Sequence, residues 1–390
     1  MKVSKFKKIC IVTGNRAEYG LLRNLIIKLN KTNSIMLYLI ITGTHLSKKY
    51  GNTYQEIKRD RIKNKIKIDI KLKKDTTKNI IYSMSQGLIK FSSTFKKIKP
   101  DLLIVLGDRY EIMIASISAA MNRIPIAHIH GGESTEGVID ELLRHSITKL
   151  SQIHFTTCDL YKKRIIQMGE NSKNVFNVGS LGAEAIKKIK LFTKPELEKS
   201  MNIKLKKKNI IVSYHPETLN LKSSKKNFIE MLKALEGLKE TLIIFTMPNS
   251  DEGSEFIFTH IKKFLKRKKN CYFIRSLGQR NFLSCLKYFD FIIGNSSSGI
   301  IEMPSFNKAT ININPRQNGR FKNKTIIDVE GNSKKIMKAI NLAYSNKFKK
   351  VLKNSKNIFD NGNTSDKILK KIRSINSNKI LIKKFHDLKF

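Results

Sequence analysis

Apolar residues gather in short β-branched runs: KICIVTG (8–14), MLYLIIT (36–42), LLIVLGD (102–108), PIAHIH (125–130), IHFTT (153–157) and VFNVG (175–179). Amphipathic stretches of helical period lie between them, among them 19–30 and 110–121. After a charged stretch, 187–208, the pattern starts again with NIIVSYHP (209–216), TLIIFTMP (241–248), CYFIRSL (271–277), DFIIGN (290–295) and ATININ (309–314). Helical periodicity recurs at 224–239, 279–288 and 333–345. Strands alternating with helices are the pattern of parallel βαβ units. No short-period repeat is visible. The chain reads as an α/β protein of two Rossmann-like domains, 1–182 and 183–355, joined near 183–208 and followed by a third segment, 356–390.

In open parallel sheets ligands sit beyond the carboxyl ends of the strands, and those positions are chemically loaded. They read TGNRAEYG (Arg16, Glu18), TGTH (His45), GDRYE (Asp108, Arg109), HIHGGE (His130, Glu133), SYHPET (His215), PNSDEG (Asn249) and GNSSSGIIEMPS (Ser296, Ser297, Ser298, Gly299, Glu302). A polar residue after a strand often only caps a helix, and one such histidine would carry little weight. Their recurrence in both halves points to a site.

Composition narrows the class. The chain has 390 residues, enough for two domains with sizeable cores. No segment approaches the ~18 unbroken apolar residues of a membrane span. The start, MKVSKFKKICIVTG, has too short an apolar run for a signal peptide, so it is read as a first strand and the protein as cytoplasmic. Four scattered cysteines without a CxxC pair indicate neither a disulfide framework nor a zinc site. The net charge is +45, yet only 14 of the 76 basic residues are arginine, and Asn and Ile abound. That mixture fits A/T-biased codons, and lysines spread over helix faces are ordinarily solvated surface. Basic clusters interleaved with base-stacking aromatics are missing, which argues against a nucleic-acid partner.

GNSSSGIIE follows a buried-looking strand and opens a helix. Small residues let backbone N–H groups approach an anion at the positive end of the helix, while Glu302 can take hydroxyl hydrogen bonds from a ribose. The GxxxxGK[ST] pattern of a P-loop is absent. Arg16 at a helix start, with Arg316 and Arg320 of RQNGR, can add bidentate contacts to phosphates. The stretch 127–155 concentrates acid–base groups, with IDELLRHSITKL as a helix carrying Asp140, Glu141, Arg144 and His145. Residues 141 and 145 share a face, as do 140 and 144. Carboxylates close together tend toward raised pKa values, which suits proton transfer.

In this order, VTGNRAEYGLL, VLGDRYE, PIAHIHGGE, DELLRHSITKLSQIHF, HPETL and IIGNSSSGIIEMPS…TININPRQNGR resemble the hydrolysing UDP-N-acetylglucosamine 2-epimerases of bacterial sialic-acid pathways. The similarity runs from about residue 8 to about residue 370. It implies a GT-B-like pair of Rossmann domains with the active site in the cleft between them, and a final helix near 364–374 crossing back to the first domain. It also implies conversion of UDP-GlcNAc and water into N-acetylmannosamine and UDP, with no cofactor and no metal, in homo-oligomers (dimer or tetramer).

By position, Arg16, Arg109, His215, Ser296, Ser297, Glu302 and Arg316 match residues that hold UDP, and His215 is counted with the catalytic group as well. Asn249 and the segment 273–277, with Ser276, match a region near the nucleotide. Asp108, Glu133 and Asp140 or Glu141 fall where the family has its acid–base carboxylates. Some members have Glu where this chain has His130, so His130, Glu133 and Asp108 all stand as candidate bases. NINPR has Asn314-Pro315 where relatives commonly show Gly before the arginine.

Rival readings are the same chemistry on UDP-2,4-diacetamido-2,4,6-trideoxyglucose from legionaminic-acid synthesis, a GT-B glycosyltransferase, and a basic protein binding nucleic acid or an anionic surface. The carboxylate cluster and HIHGGE speak against a transferase.

Overall fold

A computed structural model describes residues 7–313, 315–376 and 380–388. Seven parallel strands form a first sheet: β1 (Lys7–Thr13), β2 (Ile35–Thr42), β3 (Asn64–Ile68), β4 (Leu102–Leu106), β5 (Ile126–Ile129), β6 (Ile153–Thr156) and β7 (Val175–Asn177). Their spatial order is β3-β2-β1-β4-β5-β6-β7. Six more form a second: β8 (Lys208–Ser213), β9 (Thr241–Thr246), β10 (Cys271–Ile274), β11 (Phe291–Gly294), β12 (Ala309–Ile313) and β13 (Ile326–Val329). Their order is β10-β9-β8-β11-β12-β13. Both are doubly wound α/β sheets, and in both the chain reverses its direction of winding beside the first strand, between β1 and β4 and between β8 and β11.

Apolar residues fill both faces of each sheet, which is why the strand sequences show so little alternation. On β1, Ile9 and Ile11 join the helix Arg16–Lys31 through Leu22, Leu25 and Ile26. Cys10 and Val12 point the other way, toward Phe91 and Phe95 of the helix Thr77–Ile98. On β8, Ile210 and Val212 pack with Phe228 and Met231 of the helix Leu221–Glu236. Ile211 packs with Leu283 and Leu286 of the helix Gly278–Tyr288.

Eleven of these strands coincide with the apolar runs. Two do not: β3 and β13 are short edge strands, and β3, NKIKI, alternates lysine with isoleucine. Charged edges suppress pairing with other chains, and they also erase the apolar signal. Asn314 of the NINPR loop lies outside the described residues.

The chain divides into two compact units. The first holds the described residues up to Glu133, Asp140–Ala185 and those from Asn361 onward; the second holds Ser134–Ile139 and Ile186–Asp360. Boundaries drawn from composition at 182 and 355 therefore fall a few residues early, and the excursion of 134–139 has no counterpart in the pattern. That hexapeptide is held where Leu219 N–H donates to the Gly137 carbonyl (3.1 Å) and Ile139 N–H to Thr218 Oγ1 (2.9 Å). Within the first unit the helix Thr364–Ser374 packs Ile368 and Ile372 into the core beside Arg16–Lys31. Ser365 donates to the buried Glu184 carboxylate through both its N–H and its hydroxyl. No helix among the described residues is long and apolar enough to cross a membrane.

Gly294 closes β11 with φ +137°, and a Cβ there would lie 2.1 Å from the Ser213 carbonyl oxygen of the paired strand. At Gly237 an added Cβ meets nothing nearer than 3.5 Å. Gly294→Ala is expected to destabilise the second unit by more than the ~1–3 kcal/mol of backbone strain alone, whereas Gly237→Ala should leave the chemical-denaturation midpoint nearly unchanged. Equal effects would show that β8 and β11 can separate freely at this point.

Candidate active site

In the first unit, three loops meet at the carboxyl ends of β1, β2 and β4. After β1 the chain turns at Gly14 and enters the helix Arg16–Lys31 with Asn15 as N-cap, its side chain accepting from Glu18 N–H (3.0 Å). Glu18 reaches back, its two carboxyl oxygens taking Gly14 N–H and Asn15 Nδ2, both at 2.6 Å. It therefore closes the turn, as in a capping box. Burial first and the charge of Glu111 second raise its carboxyl to about 8, against the opposing pull of the Gly14 and Asn15 bonds and of Arg109.

Arg16 is half-buried at the first helical position; burial lowers its guanidinium, opposed by the charge of Glu56. His45 lies in the core. One ring nitrogen meets Thr13 Oγ1 (3.0 Å) and the other Thr53 Oγ1 (2.7 Å), so it buttresses the turn with both nitrogens engaged. Arg109 is buried, its Nε 3.2 Å from Glu111 Oε2. Glu111 was not selected from the sequence, although GDRYE contains it. It is fully buried beneath the first turn, against the backbone of Gly14.

The acid–base candidates converge on the helix Asp140–Leu150. Arg144, in its second turn, is 1% exposed. Its guanidinium donates to the Asp108 carboxylate, to Glu141 Oε2 (3.1 Å) and to the Glu133 carbonyl oxygen (3.0 Å). The sequence offered Arg144 a partner on its own helix face at Asp140; the fold adds the loops after β4 and β5. The other oxygen of Glu141 meets His145 Nε2 (3.0 Å). Asp140 is buried at the first helical residue.

His130 follows β5 with φ +67°, a conformation that costs a non-glycine residue about 1 kcal/mol or more and clusters at functional sites. Its Nδ1 lies 3.2 Å from Glu133 Oε1, which also accepts from Thr157 Oγ1 (3.4 Å). Nε2 is buried with no hydrogen-bond partner among the described residues. A carboxylate on Nδ1 favours the tautomer with its proton there, leaving Nε2 as a proton acceptor. Behind this loop, His128 bridges the Gly107 carbonyl (2.8 Å) and Thr148 Oγ1 (3.1 Å), tying the Asp108 loop to the same helix.

In the second unit the organiser is an uncharged residue, Asn295, fully buried at the end of β11. Its side chain clasps the His215 backbone, accepting the N–H (2.7 Å) and donating to the carbonyl (2.9 Å). Its own carbonyl accepts from Arg316 Nη1 (3.0 Å) and Gln317 Nε2 (2.7 Å). Asn249 N–H donates to His215 Nδ1 (3.2 Å), so the neutral ring carries its proton on Nε2 and is a donor there. Ser296 caps the short helix Ser297–Ile301, which exposes part of Ser296, Ser297 and Ser298.

Gly299 is buried, and a Cβ there would meet Thr310 Cγ2 at 2.6 Å, so its lack of a side chain lets this turn pack on β12. Glu302 is buried at the end of that helix. Ser276 follows β10, the edge strand, two strands removed from β8. Among the described residues no group of three or more His, Cys, Asp or Glu side chains could hold a metal ion.

The family model described as UDP-N-acetylglucosamine 2-epimerase matches residues 27–373. Polysialic acid biosynthesis protein P7 of Escherichia coli is 44% identical over 353 residues, covering 90% of each chain. The GDP/UDP-N,N'-diacetylbacillosamine 2-epimerase (hydrolyzing) of Campylobacter jejuni is 41% identical over 384 residues, covering 98% of this chain and 99% of that one. Among solved structures, UDP-GlcNAc 2-epimerase from Neisseria meningitidis bound to UDP-GlcNAc superposes with a TM-score of 0.79 at 19% identity, over 94% of this chain and 100% of that one. Its fold is the fold described above, of GT-B type. The chain belongs to the UDP-N-acetylglucosamine 2-epimerase family.

The buried histidines set an acid limit on stability. Burial lowers both His45 and His128 to about 3, and it lowers His154 too. An unfolded histidine titrates near 6.5, so as pH falls below that value the unfolded chain takes protons that the folded chain refuses. Each such group then costs roughly 1.4 kcal/mol per pH unit. Glu18 works the other way: with its folded value raised, its contribution is lost as pH rises from about 4.5 to about 8. Three histidines outweigh one carboxyl, so the urea midpoint should fall between pH 7 and pH 5, and more steeply in Glu18→Gln. A flat profile would mean that these histidines are not held neutral.

Proposed function

We propose that this member of the UDP-N-acetylglucosamine 2-epimerase family is a hydrolysing 2-epimerase. It takes a UDP-linked 2-acetamido sugar and water to UDP and the free sugar inverted at C2, through a 2-acetamidoglucal. The observation that carries the reading is His130: strained, buried, oriented by Glu133 through Nδ1, with Nε2 unpartnered. That is the arrangement of a proton-transfer group rather than of a core histidine such as His45 or His128, whose ring nitrogens are both engaged.

In the first step a base takes the C2 proton as the C1–O bond to UDP breaks, leaving a C1=C2 double bond. Hydroxyl from water then adds at C1, and C2 receives a proton on the opposite face. Two proton-transfer positions are needed, and they are assigned to the His130–Glu133 pair and to Asp108 on Arg144. The C2 proton is weakly acidic, so departure of the diphosphate drives its loss and requires donors around the phosphates. Arg16, Arg109, His215, Ser296, Ser297 and Arg316 are assigned to UDP. The fixed donor at His215 Nε2 and the buried Arg316 suit an oxyanion.

UDP-N-acetylglucosamine, giving N-acetylmannosamine, is the first substrate reading; the 44% identical relative named for polysialic acid biosynthesis supports it. The second is UDP-N,N'-diacetylbacillosamine, supported by the Campylobacter enzyme that matches nearly the whole chain. NMR of the purified protein with each UDP-sugar in turn decides between them. In D₂O, elimination and hydration must leave deuterium at C2 of the free product. A C2 proton at full intensity at early times, or product that keeps its configuration, would sink the epimerase reading in favour of a glycosidase or transferase.

Division of labour supplies a second test. His130→Asn, Glu133→Gln and Asp108→Asn should keep UDP affinity while losing roughly 10²–10⁴-fold in kcat. His215→Ala should instead weaken UDP in calorimetry. A kcat loss below about tenfold in all three of the first set would move the chemistry to Asp140 or Glu141.

A further inference from the structure

The end of the chain returns to the acid–base helix. Residues 380–388 lie on the first unit, with the Phe385 ring over Gly169 and the Lys149 ammonium 4.9 Å from its centroid. His386 N–H donates to the Gly169 carbonyl (3.0 Å). From this tail Lys383 reaches the C-terminal end of the helix Asp140–Leu150. Its Nζ donates to the carbonyls of Thr148 (3.4 Å), Lys149 (2.6 Å) and Ser151 (2.7 Å). These are the groups a helix end leaves unsatisfied, and a cation is the charge that the end of the helix dipole favours.

The same ammonium lies 2.7 Å from Glu170 Oε2. Glu170 is almost fully buried and also takes Lys149 (2.7 Å) and His154 Nε2 (3.0 Å). Burial alone would raise its carboxyl, yet the bonds from His154, Lys149 and Lys383 bring it down to about 2, so it is an anion. A buried anion that has three cationic or ring N–H partners loses much when one is withdrawn. The tail is thus fastened at a charged point as well as by the Phe385 contact.

What the helix carries gives the contact its consequence. Thr148, whose carbonyl Lys383 meets, presents its hydroxyl to His128, and His128 holds the Gly107 carbonyl next to Asp108. One turn earlier Arg144 holds Asp108, Glu141 and the Glu133 carbonyl. We infer that Lys383 is a positioning residue for the proposed reaction: by capping the helix Asp140–Leu150 and bonding Glu170, it fixes the Arg144 and Thr148 side chains that hold Asp108 and Glu133 in place. The inference rests on the epimerase reading for its kinetic consequence, and on geometry alone for its mechanical one. Lys383 sits at the end of the helix opposite Asp140. It acts through the helix.

The test uses the full-length protein with Lys383→Met, Lys383→Arg and Phe385→Ser. Phe385 is 69% exposed, so its replacement loosens the tail without opening the core. With the UDP-sugar that is turned over, Lys383→Met should lower kcat by about 10- to 100-fold, the scale of a catalytic group displaced by about an ångström. KM and calorimetric UDP affinity should stay within about twofold, that is within roughly 0.4 kcal/mol. Phe385→Ser should move kcat the same way by less, and Lys383→Arg should restore most of it.

A merely structural lysine would lower the melting temperature and leave kcat at 20 °C unchanged; that outcome overturns the proposal, as does failure of arginine to rescue. Hydrogen exchange separates this inference from the reading beneath it. If the wild-type protein turns over no UDP-sugar, the epimerase reading fails by itself. The clamp is then judged on the amides of 144–153, where faster exchange in Lys383→Met supports it and unchanged exchange overturns it.

Discussion

A guanidinium buried to 1% exposure is tolerable only when its donors are met by charge and by well-aligned oxygens. Arg144 meets that demand with three parts of the first unit at once: the loop after β4 through Asp108, the loop after β5 through the Glu133 carbonyl, and its own helix through Glu141. The acid–base candidates therefore stand where they do because one cation has to be neutralised there. Removing any partner leaves charge behind in a desolvated place, so the cluster is held as a unit. His128 adds a neutral strut between the Asp108 loop and the same helix, and Lys383 closes the helix at its other end.

The second unit solves the matching problem without charge. Asn295 uses both ends of its amide on the His215 backbone and its carbonyl on Arg316 and Gln317, so the loop after β8 and the Pro315–Gln317 turn share one anchor. Gly294 lets β11 come close enough to β8 for that clasp to close. In the second unit the anchored residues lie where the winding of the sheet reverses, after β8 and β11, because adjacent loops part there and leave strand-end groups uncovered; in the first they follow β4 and β5, to one side of the reversal between β1 and β4. One buried polar anchor thus holds the acid–base candidates in one unit, and another holds the proposed anion-binding donors in the other.

Two rules of local reading separate side chains that work from side chains that hold. His45 and His130 both come after strands and were both selected from the sequence, while His128, inside β5, was not. Burial with both ring nitrogens bonded marks His45 and His128 as supports. The left-handed backbone and the unpartnered Nε2 mark His130. Among glycines the distinction is similar: Gly299 stands in a serine-rich turn that looks made for a ligand, yet its missing side chain faces Thr310 in the core.

What the sequence determined by itself was the alternation of buried strands and amphipathic helices, the doubly wound class, and the strand-end positions of nearly all the polar candidates. Those features are local: a strand covered on both faces must be apolar throughout, and the residue after it is the first free to be polar. The family resemblance, carried by ordered motifs, extended this to the family. Tertiary structure alone decided the partnerships. Arg144 belongs to Asp108, 36 residues away, and Lys383 to Thr148, 235 away. Edge strands β3 and β13 exist because a neighbour offers hydrogen bonds, although their own sequences are short or charged. Asn295, Glu111 and Glu170 look like ordinary polar residues until burial makes every one of their bonds obligatory. Such pairings follow from which loops a sheet brings side by side, and no period along the chain records that.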